Sequence, residues 1–367
     1  MSTRTSPTTG VLSAIGNTPL ARLDRLLPGS RFAVFAKLEL LNPGGSSKDR
    51  PALAILASGL ASGAVVPDTV VVESSSGNMG IGLAQACRYH GLRFICVTDR
   101  KATPQNLRLL AAYGAEIDLV TEPDPLSGEL LQARLRRVQE LLAAIPGSFW
   151  PNQYAHAENA GSHYRTTMRE IVTALDGKVD VLLVATSTCG TLRGCGEYSR
   201  GHGLPTRIVA VDAVGSQIFS DQRASRLLPG LGAGVRPPLC DPNLADEVVH
   251  VTDLDCVAGC RRLAAREAIL AGASSGGLVA ALERLSIPPG AHCVLILPDR
   301  GERYLDTVYS DAWVRDHFGD VAHLWTSTQG AIGLPRARHD VVTSLSRSPG
   351  SQTQQMEEER LCDEANR

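Results

Sequence analysis

The sequence predicts an α/β protein built from open, mostly parallel sheets. Apolar runs rich in β-branched residues alternate with helical patterns along most of the 367-residue chain, as parallel sheets with helical crossovers require. Polar segments containing glycine directly follow several of these runs, and ligand sites form at the carboxyl ends of parallel strands. The length allows two domains, each with a full hydrophobic core.

Seven strands are predicted, with helical patterns between most of them. The predicted strands are Ala33–Leu40, Thr69–Glu73, Arg93–Thr98, Glu116–Val120, Val179–Ala185, Arg207–Asp212 and His292–Leu297. The predicted helices include Lys48–Ser62, Gly77–His90, Pro104–Ala112 and Glu129–Ala144. The segment from about 221 to 245 contains Pro237 and Pro238 and is predicted to be a long loop, because proline interrupts regular backbone hydrogen bonding.

Charge and composition indicate a soluble enzyme rather than a nucleic-acid or membrane protein. The net charge is −2, which provides no strongly basic surface. No apolar run approaches the roughly 20 residues that span a bilayer. Residues 1–10 are polar and lack the apolar core of a signal peptide. We therefore expect a cytoplasmic protein.

The nine cysteines are expected to be reduced thiols. Their number is odd and no C-x-x-C pair occurs, so a disulfide framework is not indicated. Cys256 and Cys260 stand four residues apart on a predicted helix. Two thiols without further ligands do not complete a tetrahedral metal site, so we expect no metal.

Lys48 follows the strand Ala33–Leu40 within a glycine- and serine-rich turn, residues 42–50 (NPGGSSKDR). A lysine at a partly desolvated site forms a Schiff base with an aldehyde cofactor once its pKa is lowered. A surface lysine that opens a helix is the ordinary alternative. Three further segments favour the cofactor interpretation.

Two of these segments place polar groups at predicted helix starts. Residues 73–84 (ESSSGNMGIGLA) combine three serine hydroxyls, the Asn78 amide and backbone N–H groups, which suit a carboxylate. Residues 187–194 (STCGTLRG) follow the strand Val179–Ala185 and suit a phosphate. The second segment matches neither the Walker A pattern nor G-x-G-x-x-G, so those nucleotide-binding loops are not indicated.

The third segment, residues 271–277 (AGASSGG), contains the string G-x-S-x-G. In hydrolases this string forms a nucleophile elbow, which requires a preceding strand. A helical pattern precedes Ala271 here, so a hydrolase is not favoured.

In their order along the chain, these segments resemble the fold type II family of pyridoxal 5′-phosphate (PLP) enzymes, the cysteine synthase group. The stretches Ile15–Leu20 (IGNTPL) and Ile296–Leu305 (ILPDRGERYL) match that family too. The resemblance covers about residues 10–315. It implies two open, mostly parallel α/β domains with PLP in the cleft between them.

The resemblance also implies where the domains divide. A small N-terminal domain would run from 49 to 152, and a large PLP-binding domain would combine 10–48 with 153–318. Residues 319–367 would form a C-terminal extension. We expect disorder from about 346, because that stretch is rich in Ser, Gln, Glu and Arg.

Individual roles follow from the same resemblance. Lys48 would hold PLP through the Schiff base and act as the catalytic residue. Asn78 would bind the phenolic oxygen of the cofactor, and Ser274 would face its pyridine nitrogen. The cofactor phosphate would be bound by Ser187, Thr188, Cys189, Gly190 and Thr191. The substrate would be contacted by Ser75, Ser76, Gly77, Met79, Gln153 and Tyr154.

Several positions depart from the cysteine synthase pattern. Ser187 and Cys189 stand where that group usually has glycine, Met79 replaces a threonine, and Arg300 replaces a serine. The chain is instead similar to a narrower branch, the synthases of 2,3-diaminopropionate biosynthesis in siderophore and peptide-antibiotic pathways. The stretches that carry this likeness are Asn152–Ala155, Val211–Phe219, Leu228–Ala233 and Pro298–Asp306.

That branch implies a specific reaction. O-phospho-L-serine and L-glutamate would give N-(2-amino-2-carboxyethyl)-L-glutamate and phosphate, and a separate NAD-dependent dehydrogenase would then release 2,3-diaminopropionate. The enzyme would be a homodimer. Two alternatives stay open: a cysteine synthase or O-phosphoserine sulfhydrylase that uses sulfide, and a non-catalytic PLP-binding partner protein. Because both substrates are anionic, cations should line the entrance, with Arg134, Arg136, Arg137 and Arg165 as candidates.

Overall fold

The computed structural model describes residues 9–326 and the two-residue strand Thr343–Ser344. The disorder predicted from about 346 lies outside the described residues, as does most of the extension 319–367. Within the described part, the chain forms one seven-stranded and one three-stranded sheet.

The strands in both sheets are mostly parallel, which confirms the predicted fold class. In chain order they are β1 (Leu20–Arg22), β2 (Ala33–Leu38), β3 (Val70–Ser74), β4 (Arg93–Asp99), β5 (Glu116–Val120), β6 (Val181–Ala185), β7 (Arg207–Ala213), β8 (Glu247–Val251), β9 (His292–Leu297) and β10 (Thr343–Ser344). The large sheet has the order β1-β2-β9-β6-β7-β8-β10, and β1 and β10 are antiparallel to their neighbours. The small sheet has the order β3-β4-β5 and is parallel throughout.

Helices connect the strands and flank the sheets. In chain order they are α1 (Asp49–Ser62), α2 (Asn78–His90), α3 (Pro104–Ala112), α4 (Leu130–Ala144), α5 (Ala157–Ser162), α6 (Arg169–Ala174), α7 (Gly190–Gly201), α8 (Asp253–Glu267), α9 (Ala273–Arg284), α10 (Asp311–Phe318) and α11 (His323–Thr326). A π-helical turn, His163–Met168, lies between α5 and α6. Among the described residues, no helix has both the length and the apolar character needed to span a bilayer.

The predicted elements agree closely with the structure. All seven predicted strands are present within two residues at each end, and the four named helices within one. The first strand ends at Leu38 rather than Leu40, because a 3₁₀ turn, Glu39–Leu41, begins there. Sequence reasoning missed β1, β8 and β10: β1 and β10 have only three and two residues, and polar residues stand within the apolar pattern of β8. The predicted loop at 221–245 is confirmed except for a 3₁₀ turn at Pro242–Leu244.

The central strands of the large sheet are buried on both faces. In β6, Val181 and Leu183 belong to one apolar cluster, while Leu182 and Val184 belong to another. Successive side chains of a strand point to opposite faces, so helices cover the sheet on both sides, as parallel sheets require.

Two glycines let α8 and α9 pack backbone against backbone. A Cβ added to Gly276 would lie 1.9 Å from Cys256 O, and one added to Gly259 would lie 2.1 Å from Gly276 O. Only glycine permits such an approach. This contact fixes the N-terminal end of α9, where Ser274 lies.

A buried ion network attaches α1 to the large sheet. Arg50 Nε lies 2.7 Å from Glu39 Oε2, and Arg50 Nη1 lies 2.7 Å from Glu170 Oε1. Glu170 also accepts a 2.6 Å contact from Lys37 Nζ of β2. Because Lys48 immediately precedes α1, the network also positions Lys48.

Replacing Arg50 with methionine should strongly destabilise the protein. Glu39 is fully buried, and removing one partner of a buried pair typically costs about 3–5 kcal/mol because the other charge is left uncompensated. Urea denaturation measures the free energy of unfolding. Arg22→Ala is the control, because the Arg22–Asp24 pair is largely exposed and should change that free energy by no more than ~1 kcal/mol. Equal, small effects of both changes would contradict a structural role for the network.

Candidate active site

The turn that carries Lys48 is held by hydrogen bonds on both sides. Ser47 N donates to Pro298 O over 2.7 Å, so the turn is tied to the segment that follows β9. Asp49 Oδ2 accepts from Gly44 N at 2.5 Å, and Ser46 Oγ accepts from Lys48 N at 3.2 Å. Lys48 is therefore presented at the start of α1 by a fixed backbone.

Lys48 alone among the four lysines of the chain is placed for chemistry. Lys37 is engaged in the buried ion network, and Lys101 and Lys178 are exposed. Lys48 lines a cavity instead. Burial lowers its pKa, because desolvation disfavours the ammonium form, although the negative charge of Asp299 and the Cys189 thiol act in the opposite direction. Lys48 is therefore a neutral amine in a larger fraction of the protein molecules than an exposed lysine would be.

The N-terminus of α2 faces the same cavity. Ser75, Ser76, Gly77, Asn78 and Met79 all line it. Ser75 Oγ accepts from Gly80 N at 2.9 Å and from Gly77 N at 3.3 Å, so this hydroxyl caps the start of the helix. The start of α2 is therefore ordered by these bonds, and a helix N-terminus that lines a cavity suits a carboxylate.

Gln153 is fixed by a buried glutamate. Glu73 Oε2 accepts from Gln153 N at 3.1 Å, and Glu73 Oε1 accepts from Ser74 N at 2.8 Å. Gln153 Nε2 donates to Ser74 O at 2.9 Å. Burial raises the pKa of Glu73 to about 7, partly offset by these hydrogen bonds.

The predicted phosphate loop follows β6 and leads into α7. Cys189 adopts φ = 64°, the left-handed conformation, and is the N-cap residue of α7. Glycine takes this conformation freely, whereas an L side chain costs about 1–2 kcal/mol there. Cys189 thus adopts a backbone conformation that glycine would adopt without strain. The first N–H groups of α7 have no partner within the helix and are available to an anion.

Two buried side chains hold this loop. His163 Nε2 lies 3.2 Å from Thr191 Oγ1, and His163 Nδ1 lies 2.9 Å from Thr167 Oγ1. Burial lowers the pKa of His163 well below its ordinary value, and the nearby Lys48 adds to this effect, so the ring is neutral. Asn159 Nδ2 donates to Gln153 O at 2.6 Å and to Thr188 Oγ1 at 3.3 Å, which links the loop to the substrate pocket.

Ser274 lies in the first turn of α9 and is buried. Beside it, Asp299 Oδ2 accepts from Asn78 Nδ2 at 2.8 Å and from Tyr304 OH at 2.9 Å. The bond from Asn78 joins the start of α2, which follows β3, to the segment after β9. Gly272 N, at the start of α9, donates to Asp299 O at 2.9 Å and joins α9 to the same segment.

All the predicted site residues line two adjoining cavities. The larger has a volume of about 160 Å³; the smaller lies against the phosphate loop. Ser47, Lys48, Ser187 and Thr188 line both. The larger cavity is also lined by Ser75, Ser76, Gly77, Asn78, Met79, Gln153, Tyr154 and Ser274, and the smaller by Cys189, Gly190 and Thr191.

Of the four candidate arginines, Arg134 lines the cavity. It is buried, its Nε lies 3.0 Å from Asp99 Oδ2, and Tyr154 lies beside it. The other three are half-exposed and form ion pairs on the surface: Arg136 with Asp124, Arg137 with Asp118 and Arg165 with Glu158.

Sequence reasoning missed Thr103 and Asn106, which also line the cavity. Thr103 Oγ1 accepts from Asn106 N at 3.2 Å and thereby caps α3, and Asn106 Nδ2 donates to Ser76 O at 3.1 Å. The sequence could have indicated these two residues. Thr103 and Pro104 are typical of a helix start, and they follow β4 shortly after its carboxyl end, where the other motifs also lie.

The residues present fit PLP. The site offers an amine for the aldehyde, a helix N-terminus with hydroxyl groups for the phosphate, and amide and hydroxyl groups for the ring substituents. In the part of the chain that the structure describes, no group of three or more His, Cys, Asp or Glu side chains is placed to hold a metal ion, and the eight described cysteines are free thiols.

The family model of pyridoxal-phosphate dependent enzymes matches residues 11–299. The chain belongs to this family, which confirms the predicted resemblance, and it is a PLP-dependent enzyme. A protein from Ralstonia nicotianae named N-(2-amino-2-carboxyethyl)-L-glutamate synthase is 48% identical over 306 residues, which cover 83% of this chain and 90% of that protein.

Solved structures support the same class. A crystal structure of O-ureido-L-serine synthase has a TM-score of 0.77 and 32% identity, covering 84% of this chain and 99% of that one. The O-acetylserine dependent cystathionine beta-synthase from Helicobacter pylori has a TM-score of 0.76 and 28% identity, covering 83% and 100%.

Lys48 should carry the cofactor covalently. Borohydride reduction of the PLP-loaded protein, followed by digestion and mass spectrometry, should locate the pyridoxyl group on Lys48, because the other lysines are ion-paired or exposed. Lys48→Ala should abolish both the label and turnover. Lys101→Ala is the matched control and should keep both. Label on another lysine, or full activity of Lys48→Ala, would refute the assignment.

Proposed function

We propose that this protein catalyses a β-replacement that joins O-phospho-L-serine to L-glutamate, giving N-(2-amino-2-carboxyethyl)-L-glutamate and phosphate. The observation that carries the proposal is the 48% identity over 306 residues to the Ralstonia nicotianae protein that bears the name of this synthase. The cavity also offers groups that suit anionic amino-acid substrates.

The charge of the cavity suits anionic amino acids. The substrate carboxylate of O-phospho-L-serine fits the N-terminus of α2, where Ser76 and Asn78 line the cavity. Arg134 lies on the same cavity wall with Tyr154 beside it. A buried guanidinium forms paired hydrogen bonds with a carboxylate or phosphate, so Arg134 is suited to the second anionic group of a substrate.

The residues of the site divide the chemical work. Bound PLP supplies the electron sink for the negative charge that develops when the substrate loses its Cα proton. Lys48 removes that proton at Nζ, for which its lowered pKa prepares it. The same amine is placed to return the proton to Cα once L-glutamate has added.

Ser274 and the phosphate loop are proposed to bind the cofactor and to take no part in the proton transfer. Ser274 presents a neutral hydroxyl in the first turn of α9. This side chain therefore places no charge beside the pyridine nitrogen that it is expected to face. The hydroxyls of Ser187, Thr188 and Thr191 and the N-terminus of α7 bind a phosphate. Because His163 and Asn159 fix the loop from behind, the phosphate anchor is rigid.

Closure of two domains would keep water out of the cavity. The three-stranded sheet lies within the proposed small domain, 49–152, and the seven-stranded sheet lies within 10–48 plus 153–318 together with β10. The cavity is lined by residues from both parts. A reactive three-carbon unit held there must be shielded from water until the amine of L-glutamate arrives.

The enzyme is proposed to be a cytoplasmic homodimer, and an NAD-dependent dehydrogenase is proposed to consume its product. These follow from the likeness to the diaminopropionate branch and from the free thiols among the described cysteines.

A sulfide-using enzyme is the second candidate. It rests on the resemblance of the site motifs to the cysteine synthase group; a similar structure, with a TM-score of 0.75 and 31% identity, is that of a hydrogen sulfide-producing enzyme from Fusobacterium nucleatum, in which sulfide is a product rather than a substrate. A non-catalytic PLP-binding role is disfavoured, because Lys48 is intact and its pKa is lowered.

Product analysis separates these candidates. The PLP-loaded protein should convert O-phospho-L-serine and L-glutamate to one N-linked product per phosphate released, measured by mass spectrometry and a phosphate assay. L-Aspartate, one methylene shorter, should react roughly 10- to 200-fold less well. O-Acetyl-L-serine in place of O-phospho-L-serine tests the leaving group. Efficient conversion with sulfide and none with L-glutamate would establish the second candidate instead.

A further inference from the structure

Asp299 is a buried carboxylate in the cavity wall that the proposed chemistry does not use. It follows β9 by two residues, it is 1% exposed, and its side chain lines the same cavity as Lys48 and Asn78. A buried charge is costly unless it is paired and hydrogen-bonded, so its surroundings indicate what it does.

The backbone of Asp299 is fixed on two sides. Its carbonyl accepts from Gly272 N at 2.9 Å, next to the start of α9. On the other side Asp299 forms a β-bridge with Ser46, in the turn that carries Lys48. The residue therefore cannot shift without moving one of these two segments.

The carboxylate is also confined. A Cβ added to Gly272 would lie 1.9 Å from Asp299 Oδ1, so glycine at this position leaves the space that the carboxylate occupies. Asp299 Oδ1 is buried and has no hydrogen-bond partner among the described residues. Oδ2 accepts from Tyr304 OH at 2.9 Å and from Asn78 Nδ2 at 2.8 Å.

The bond to Asn78 connects the two sheets. Asn78 begins α2, directly after β3 of the small sheet, whereas Asp299 follows β9 of the large sheet. An amide side chain has two N–H donors and one carbonyl acceptor in a plane. Once one N–H is bound to Asp299, the directions of the other N–H and of the carbonyl are set.

We propose that Asp299 is a positioning residue that fixes the amide of Asn78 toward the bound cofactor. The inference rests on the proposed function in that Asn78 is the expected partner of the cofactor's phenolic oxygen. Asp299 itself touches Asn78 and Tyr304 and acts through the former. Asp299 Oδ2 accepts the hydrogen bond from Asn78 Nδ2 at 2.8 Å, and a carboxylate acceptor forms a stronger hydrogen bond than a neutral acceptor.

A double-mutant cycle tests this role. The variants are Asp299→Asn, which keeps the shape and removes the charge, Asn78→Ala, and the combination of both. Tyr304→Phe is the matched control, because it removes the other hydrogen bond to the same oxygen and leaves Asn78 in place. For each variant, titration of apoprotein with PLP gives the dissociation constant, and the visible absorption spectrum reports the surroundings of the bound cofactor.

Asp299→Asn should weaken PLP binding roughly tenfold, because a hydrogen bond to a neutral acceptor is weaker than one to a charged acceptor, and should change the visible spectrum. Tyr304→Phe should keep the wild-type spectrum. In the Asn78→Ala background, Asp299→Asn should have almost no further effect, because interacting residues are non-additive. A wild-type spectrum and affinity for Asp299→Asn, full additivity, or an equal effect of Tyr304→Phe would each overturn the proposal.

Gly272→Ala provides a second route if Asp299→Asn does not fold. It keeps the carboxylate but places a methyl group at a point 1.9 Å from Oδ1, so it should displace the side chain and change the spectrum in the same way. A wild-type spectrum in that variant would overturn the role. The proposed function is judged separately: wild-type protein that makes no N-linked product would refute the function while leaving this cycle interpretable.

Discussion

The hydrogen bond from Ser47 N to Pro298 O ties the turn that carries Lys48 to the end of β9, and the site is built around this contact. β9 lies between β2 and β6, and all three are parallel. Their carboxyl ends therefore meet at one edge of the large sheet. The segments that follow them are the Lys48 turn, the Asp299 segment and the phosphate loop, so strand order alone makes them neighbours.

Several residues at the site have shifted pKa values or an unusual backbone conformation. Burial shifts the pKa of Lys48 downward and that of Asp299 upward, and the His163 ring is kept neutral. Cys189 adopts a left-handed backbone conformation without being glycine. Shifted pKa values and strained backbone are concentrated at functional sites because the surrounding fold is stable enough to tolerate them. Here the supporting interactions include the buried Arg50 network and the glycine contact between α8 and α9.

Much of this arrangement could be predicted from the sequence. Apolar runs such as Val179–Ala185 and His292–Leu297 identified the buried strands, because parallel strands are apolar on both faces. The polar segments after them indicated the site, and every predicted cofactor- or substrate-binding residue lines one or both of the two adjoining cavities. The strand β8 was missed because Glu247 and His250 interrupt its apolar pattern.

Other features depend on tertiary contacts that no local pattern encodes. Arg134 and Arg136 lie two residues apart on α4, yet one lines the cavity and the other pairs with Asp124 on the surface, because the face of a helix that is buried depends on what packs against it. The roles of Asn159 and His163 behind the phosphate loop, and the bond between Asn78 and Asp299, join residues that are distant in the chain.

A crystal structure of the PLP-loaded protein tests most directly the claim that these segments form one cofactor site. Continuous electron density should join Lys48 Nζ to the cofactor. The phosphate should lie within hydrogen-bond distance of the backbone N–H groups of residues 187–191, at the N-terminus of α7. Density that leaves Lys48 free, or a phosphate bound at another helix N-terminus such as that of α9, would contradict the account.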